Sequence, residues 1–320
     1  MSQYKYKPLS PDKIRTTVLG QRKSKVSIAH FGKPLKPNGS ISSFLDNLPD
    51  VLAAKDLKEF IFSCRQARSD HKPIIAALGA HVIKAGLNPV IVDLMQKGWI
   101  SALAFNGAGI IHDFEIAYSG HTSEDVDDNI IDGRFGMAEE TAAYLNKTII
   151  AAKGKMGIGE AVGRLIEESD FPYKQYSLFG NAYKLNIPVT VHVAIGTDTI
   201  HFHPDADGEA IGSCSQRDFF LFCSLVKQLD GGGVFINIGS AVVLPEIFLK
   251  ALTFVRNQGI PLKGLTTAVF DFFRHYRPIQ NVVNRPMSDS GKGFYFIGHH
   301  EIMIPLLAAA LTARGEQTNE

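Results

Sequence analysis

The sequence predicts a doubly wound α/β protein built on a mostly parallel sheet, with an N-terminal arm ahead of it. Three observations predict this class. Six short apolar runs recur, at Pro73–Leu78, Ile100–Phe105, Pro188–Ile195, Val234–Ile238, Leu265–Phe272 and Phe294–Ile297. Helical patterns fill the intervals, and most runs end in glycine or a polar cluster. A strand that is apolar at nearly every position is buried on both faces, and parallel neighbours are joined through helices. With 320 residues, 45% of them hydrophobic, the chain can bury one large core, or one core plus an arm.

Taken in order, residues 1–50 are polar and interrupted by Pro8, Pro11, Pro34, Pro37 and Gly39. Such a segment cannot make its own core and reads as an arm on the main body or on a neighbouring subunit. Residues 51–314 read as a single α/β domain and 315–320 as a flexible tail. From Ile41 onward, Phe44, Leu45, Leu48, Leu52, Leu57, Phe60, Ile61 and Cys64 have the spacing of amphipathic helices. Further helical patterns follow at Pro89–Lys97, Met137–Leu145, Gly159–Glu168, Phe219–Gln228, Pro245–Gln258 and Glu301–Arg314.

The totals exclude several classes. A formal charge of +1 leaves no basic excess for nucleic acid, and no apolar run reaches the roughly 18 residues of a membrane span. The N-terminus lacks the apolar core of a signal peptide, so a cytoplasmic address is expected. Cys64, Cys214 and Cys223 are odd in number and form no CxxC, which predicts buried thiols rather than a disulfide framework.

In doubly wound sheets, ligands bind outside the carboxyl ends of the strands. The loops at those ends are Gly79-Ala80-His81, Asn106-Gly107-Ala108-Gly109, Gly196-Thr197-Asp198, Gly239-Ser240, Asp271-Phe272-Phe273-Arg274-His275 and Gly298-His299-His300-Glu301, and Gly231-Gly232-Gly233 precedes the fourth strand. Gly107 and Gly109 carry no Cβ, so the backbone can turn sharply and bring its N–H groups close to a ligand. Several such loops on one sheet edge predict a nucleotide crevice, with Gly79, Gly109 and Gly239 in its floor. The second loop leads into a polar segment with His112, Asp113 and Glu115.

The sequence also carries residues suited to competing chemistries. The glycines of KGKMGIGEAVG (Gly154, Gly157, Gly159, Gly163) do not match GxGxxG and read as flexibility at a helix start; no Walker A motif and no GxSxG elbow is present. His201, His203, Asp205 and Asp207, with His192, His299, His300 and Glu301, offer metal-ligand types and an alternative as a metal-dependent hydrolase. No HExxH accompanies them, and no metal ligand is assigned. Lys292, in a glycine-flanked loop before the last strand, is a lysine that burial could prepare for imine formation.

In the order and spacing of its motifs the chain resembles the deoxyhypusine synthase family. The resemblance spans about Lys72 to Leu311 and rests on LGAHVIKAG (78–86), ALAFNGAGIIHDF (102–114), IPVTVHVAIGTDTIHFH (187–203), GGGVFINIG (231–239), AVFDF (268–272), NRP (284–286) and GHHEIMIPLL (298–307). It implies a Rossmann-like NAD-binding fold and a transferase that oxidises a polyamine and passes an aminoalkyl group through a lysine imine. It also implies a homotetramer whose arm crosses between subunits. Carried over by position, NAD contacts come from Ala80, His81, Val82, Ile83 and Lys84, from Asn106, Gly107 and Ala108, and from Gly233, His299 and His300. Asp198 anchors the substrate amine, His112 stands where the family has a substrate-binding glutamate, and His112 or Asp113 handles protons. Lys292 is the lysine nearest the family's Trp-Gly-Lys. A non-catalytic NAD- or nucleotide-binding protein is the alternative from a different class.

Overall fold

The computed structural model describes residues 3–287 and 291–313. The 315–320 tail, Arg314 and the loop at 288–290 lie outside the described residues. Six parallel strands, β1 (Ile74–Leu78), β2 (Ala102–Asn106), β3 (Val189–His192), β4 (Val234–Ile238), β5 (Thr266–Asp271) and β6 (Lys292–Ile297), form one sheet in the order β3-β2-β1-β4-β5-β6. The chain winds outward from β1 in one direction and then restarts from β4 in the other. The strand order therefore reverses between β1 and β4.

The helices are α1 (Ile41–Asn47), α2 (Leu52–Ser69), α3 (His81–Lys84), α4 (Asn88–Gln96), α5 (Ala108–Ser119), α6 (Val126–Ile130), α7 (Glu139–Ala152), α8 (Ile158–Glu168), α9 (Leu178–Lys184), α10 (Gly208–Lys227), α11 (Val243–Asn257), α12 (Tyr276–Pro278) and α13 (His300–Thr312). Side chains alternate across each strand, so β1 feeds two cores. Ile74, Ala76 and Leu78 join one side with Phe60, Phe105 and Phe179, while Ile75 and Ala77 join the other with Phe222, Phe235 and Phe248. Phe60 of α2 meets Phe270, Phe294 and Phe296, with ring centroids 5.8–5.9 Å away. Cys64, Cys214 and Cys223 are buried free thiols. Among the described residues no helix is long and apolar enough to cross a membrane.

The exposed stretch runs to about residue 40, and α1, at the expected helical pattern from Ile41, packs Leu45 into the core. Three findings revise the sequence reading. Helix α10 begins eleven residues before the expected Phe219, at Gly208, where the Asp207 side chain accepts the N–H groups of Glu209 and Ala210. Helix α9 falls where no pattern was read. The glycines opening α8 serve close packing rather than flexibility: a Cβ on Gly159 would run into the carbonyl of Val189 on β3. That approach belongs to a clamp on the edge strand. From α10, the Asp218 carboxylate accepts the N–H groups of Val191 (2.9 Å) and Gly159 (3.1 Å). Ser215 accepts from the Val193 N–H and donates to the Val191 carbonyl, both at 3.2 Å. The outward N–H and carbonyl of Val191 and the N–H of Val193 are thereby satisfied without another strand.

Candidate functional site

The loops after β1 and β4 touch at the point where strand order reverses. The Gly79 N–H donates to the Ile238 carbonyl (2.8 Å) and the Gly239 N–H to that of Phe270 (3.0 Å). A Cβ on Gly79 would overlap the Gly239 carbonyl, so only glycine permits this floor. Gly239 has φ 66° and lies under the His300 ring. That ring faces Phe272 at 4.4 Å and His81 at 5.3 Å, and Phe272 in turn meets His81 at 4.9 Å and the exposed His299 at 5.3 Å. Burial holds His300 below its usual pKa and therefore neutral. Its Nε2 sits 3.2 Å from the Phe270 carbonyl and must carry the proton, which leaves Nδ1 as a bare acceptor.

Eight buried side-chain polar atoms among the described residues lack a hydrogen-bond partner, and five of them lie along this carboxyl edge: Asn106 Oδ1, Asp198 Oδ2, Asn237 Oδ1, Asp271 Oδ2 and His300 Nδ1. Bare buried acceptors cost free energy unless a ligand donates to them. The glycine floor, the aromatic wall and these acceptors fit the ribose hydroxyls and flat rings of a dinucleotide. The departure from the usual arrangement is α3, whose four residues offer no long helix to a pyrophosphate. Val82 and Ile83 turn their side chains into the core, so only their backbone is available to a ligand.

Beside this floor, outside the ends of β2 and β3, lies a cavity of about 240 Å³ lined by Lys84, Ala108, His112, Glu115, Glu124 and Asp198, among others. Helix α5 supplies its back wall. One turn separates His112 from Glu115, so the two share a face. The Thr122 hydroxyl donates to Glu115 Oε2, so it must accept from His112 Nδ1, 2.7 Å away. This relay fixes the tautomer and leaves His112 Nε2 as a free base. Thr141 donates to the other Glu115 oxygen at 3.2 Å. Burial pushes Glu115 up, but the nearby His112 imidazole and the hydrogen bonds from Thr122 and Thr141 outweigh it and hold the carboxyl below its usual range. Opposite, Asp198 is 5% exposed, and its Oδ2 presses on Gly107, where any Cβ would collide with it. Burial raises its pKa to about 6. His201 cannot neutralise it: Nδ1 of that ring accepts the N–H groups of Gly196 (3.1 Å) and Asp198 (3.3 Å), and Nε2 stops 3.7 Å short of Oδ2. Thr122 and Thr141 were not singled out from the sequence, and Glu115 and Phe272 were named there only as members of strand-end segments. The i, i+3 spacing of His112 and Glu115 was the one signal available for them.

Several expected site residues stand elsewhere. Asp113 points away from His112, because adjacent helical residues diverge by about 100°. It is fully buried and accepts from the Ser177 hydroxyl, the Leu178 N–H (2.7 Å), the Phe179 N–H (3.1 Å) and Asn88 (3.3 Å). It thus caps α9, and burial lifts it to about 6 against those hydrogen bonds. Lys292 opens β6 on the opposite edge of the sheet, roughly 16 Å of strand away from the crevice side, and its exposed ammonium pairs with Glu59. Gly233 likewise precedes β4 on that far edge, with a Cβ position against Leu229. Gly109 lets α5 pack on the Phe105 ring rather than facing a ligand. The histidines of the HFH segment separate: His203 accepts from the Asp205 N–H and lies 3.6 Å from Glu139, while His201 serves the Gly196–Asp198 turn. His192 is buried against Phe222 and held down to about 3 by burial. No group of three or more His, Cys, Asp or Glu among the described residues is arranged to hold a metal ion.

No protein-family model matches the chain, and no curated protein matches it significantly. Among solved structures, unliganded AgrE is similar in fold, with a TM-score of 0.51 and 18% identity over 80% of this chain and 32% of its own. A putative deoxyhypusine synthase from Entamoeba histolytica superposes with a TM-score of 0.49 and 12% identity over 87% of this chain and 95% of its own. A conserved putative LOR/SDH protein from Methanococcus maripaludis S2 gives 0.48 and 17% over 80% and 67%. The chain spans about a third of AgrE and of ArgZ, an arginine dihydrolase from the ornithine-ammonia cycle in cyanobacteria. The likeness to AgrE agrees with the doubly wound fold seen in the strand order.

Proposed function

We propose that the protein is a deoxyhypusine-synthase-like, NAD-dependent aminoalkyl transferase acting on a polyamine or another small amine. The observation that carries this reading is one cavity that joins an imidazole with a bare Nε2, held by the Thr122–Glu115 relay, to a buried carboxylate whose Oδ2 has no hydrogen-bond partner, next to the glycine floor at the strand-order reversal. Gly79, Gly239, Phe272 and His300 would hold NAD, with the backbone of Ala80 to Lys84 and of Asn106 to Ala108. NAD held by these residues would supply the hydride acceptor that oxidation at a carbon next to nitrogen requires.

The chain's own groups do the rest. Asp198 attracts an ammonium group, whose charge restores the carboxylate that burial disfavours. His112 Nε2 removes a proton from the reacting amine, and Glu115 stabilises the imidazolium through Thr122. The lysine lining this cavity is Lys84, not Lys292, so an imine carried by the chain belongs on Lys84.

The test begins with calorimetric titration of NAD into the full chain, then addition of spermidine while the absorbance of reduced cofactor is followed. Binding of NAD with amine-dependent reduction supports the reading. Binding without reduction by any small amine assigns the non-catalytic alternative, and absence of NAD binding overturns both.

A further inference from the structure

A second cavity, of about 410 Å³, opens on the other side of α5 and shares no lining residue with the first. Its walls are Ile83, Pro89, Ile116, Tyr173, Tyr176 and His121, and Asn88 lies among them. Tyr173 is 40% exposed and Tyr176 47%, large aromatic surface that a bound ring would remove from water. The Tyr173 ring is set by Gly120, whose Cβ position lies 3.1 Å from it.

Asn88 is the polar group of this cavity with something left to satisfy. It is 4% exposed, and its amide is oriented by two bonds from Nδ2, to the Tyr176 carbonyl (2.9 Å) and to Asp113 Oδ1 (3.3 Å). A flipped amide would set its oxygen against both acceptors, so Oδ1 is fixed as the remaining atom, and it has no partner. A buried acceptor beside an aromatic, largely apolar cavity of this size is complementary to a flat ring carrying one N–H or O–H donor. A cation is not favoured, because no carboxylate lines the cavity and Asp113 behind Asn88 is already occupied. We infer that the Asn88–Tyr173–Tyr176 cavity is a second ligand site, for a neutral aromatic compound with a hydrogen-bond donor on the ring. It does not depend on the NAD-binding reading.

Indole and benzofuran are the probes, since they share shape and differ in the N–H. Both are titrated into the full-length protein by calorimetry and by saturation-transfer NMR. The expected result is saturable indole binding, about tenfold tighter than benzofuran. Tyr173→Ala, a change at a part-exposed position, is expected to weaken indole roughly tenfold while the thermal midpoint stays within a few degrees. Equal affinities for the two probes, no saturable binding of indole to folded protein, or undiminished binding to Tyr173→Ala each overturn the inference. Asn88→Ala is not used as the primary test, because it also removes a partner of Asp113.

Discussion

His112 and Asp113 are neighbours in sequence with opposite fates, and helix geometry decides between them. His112 faces the cavity with Nε2 free; Asp113 faces inward and is saturated by four donors. Replacing His112 by Gln is therefore expected to lower amine-dependent reduction of NAD by about 10² to 10⁴-fold while NAD affinity stays within about twofold. Stopped-flow absorbance with a parallel binding titration measures both, and a variant that turns over normally removes the relay from the mechanism. For the lysines the expectation is equally direct. Lys84→Ala abolishes covalent trapping of substrate by borohydride, seen by peptide mass spectrometry, whereas Lys292→Ala leaves it intact; a label on Lys292 reverses the assignment. Asp198 yields a pH prediction. Its folded pKa, about 6, lies above the usual 3.8, so the native state holds a proton that the unfolded chain has already lost between these values. Stability from this group is present below about pH 4 and lost as pH rises through about 6, by about 3 kcal/mol. Asp198→Asn should remove that share of the slope in urea unfolding at pH 4 and pH 7, and an unchanged slope would show that Asp198 does not titrate there. The slope persists in part, because Asp113 and Asp218 are also raised, to about 6 and about 7.

At the scale of elements, the clamp on β3 is the most sensitive feature. Asp218 is fully enclosed and serves two backbone donors from different elements. Asp218→Ala would leave both N–H groups bare, at a cost of roughly 2–5 kcal/mol in chemical unfolding; a loss well under 1 kcal/mol would show that the clamp is incidental. Elements also show where the sequence was readable. Strands β1 to β5 were visible because a strand buried on both faces leaves few polar residues in its run, and Val234–Ile238 matched to the residue. Helix α5 was not assigned over HDFE, and without its turn angle His112 and Asp113 could not be told apart. Lys292 and Gly233 were misplaced for a related reason. In a parallel sheet a residue just before a strand lies on the edge opposite the ligand, and local glycine content hides that direction. The Thr122 and Thr141 contacts were unreadable, because they bring a loop and α7 onto α5 from positions that no local pattern relates.

For the whole molecule, the arm stands out for the apolar side chains it exposes. Between residues 3 and 40, Tyr4, Tyr6, Leu9, Ile14, Leu19 and Ile28 are each at least 70% exposed. That much apolar surface on an extended segment is expected to be covered in an assembly. Removing residues 1–38 should lower the mass seen by light scattering from that of an oligomer while the thermal midpoint of the body is retained; an unchanged mass would detach the arm from assembly. The clamp on β3 also bears on how the protein behaves at high concentration. Since two side chains of α10 hold the Val191 N–H and carbonyl and the Val193 N–H, a further strand could pair at that edge only by displacing them. Once the clamp is lost, the strand becomes a template for another chain, and the damaged protein leaves solution by edge-to-edge aggregation before any weakness in its chemistry is felt.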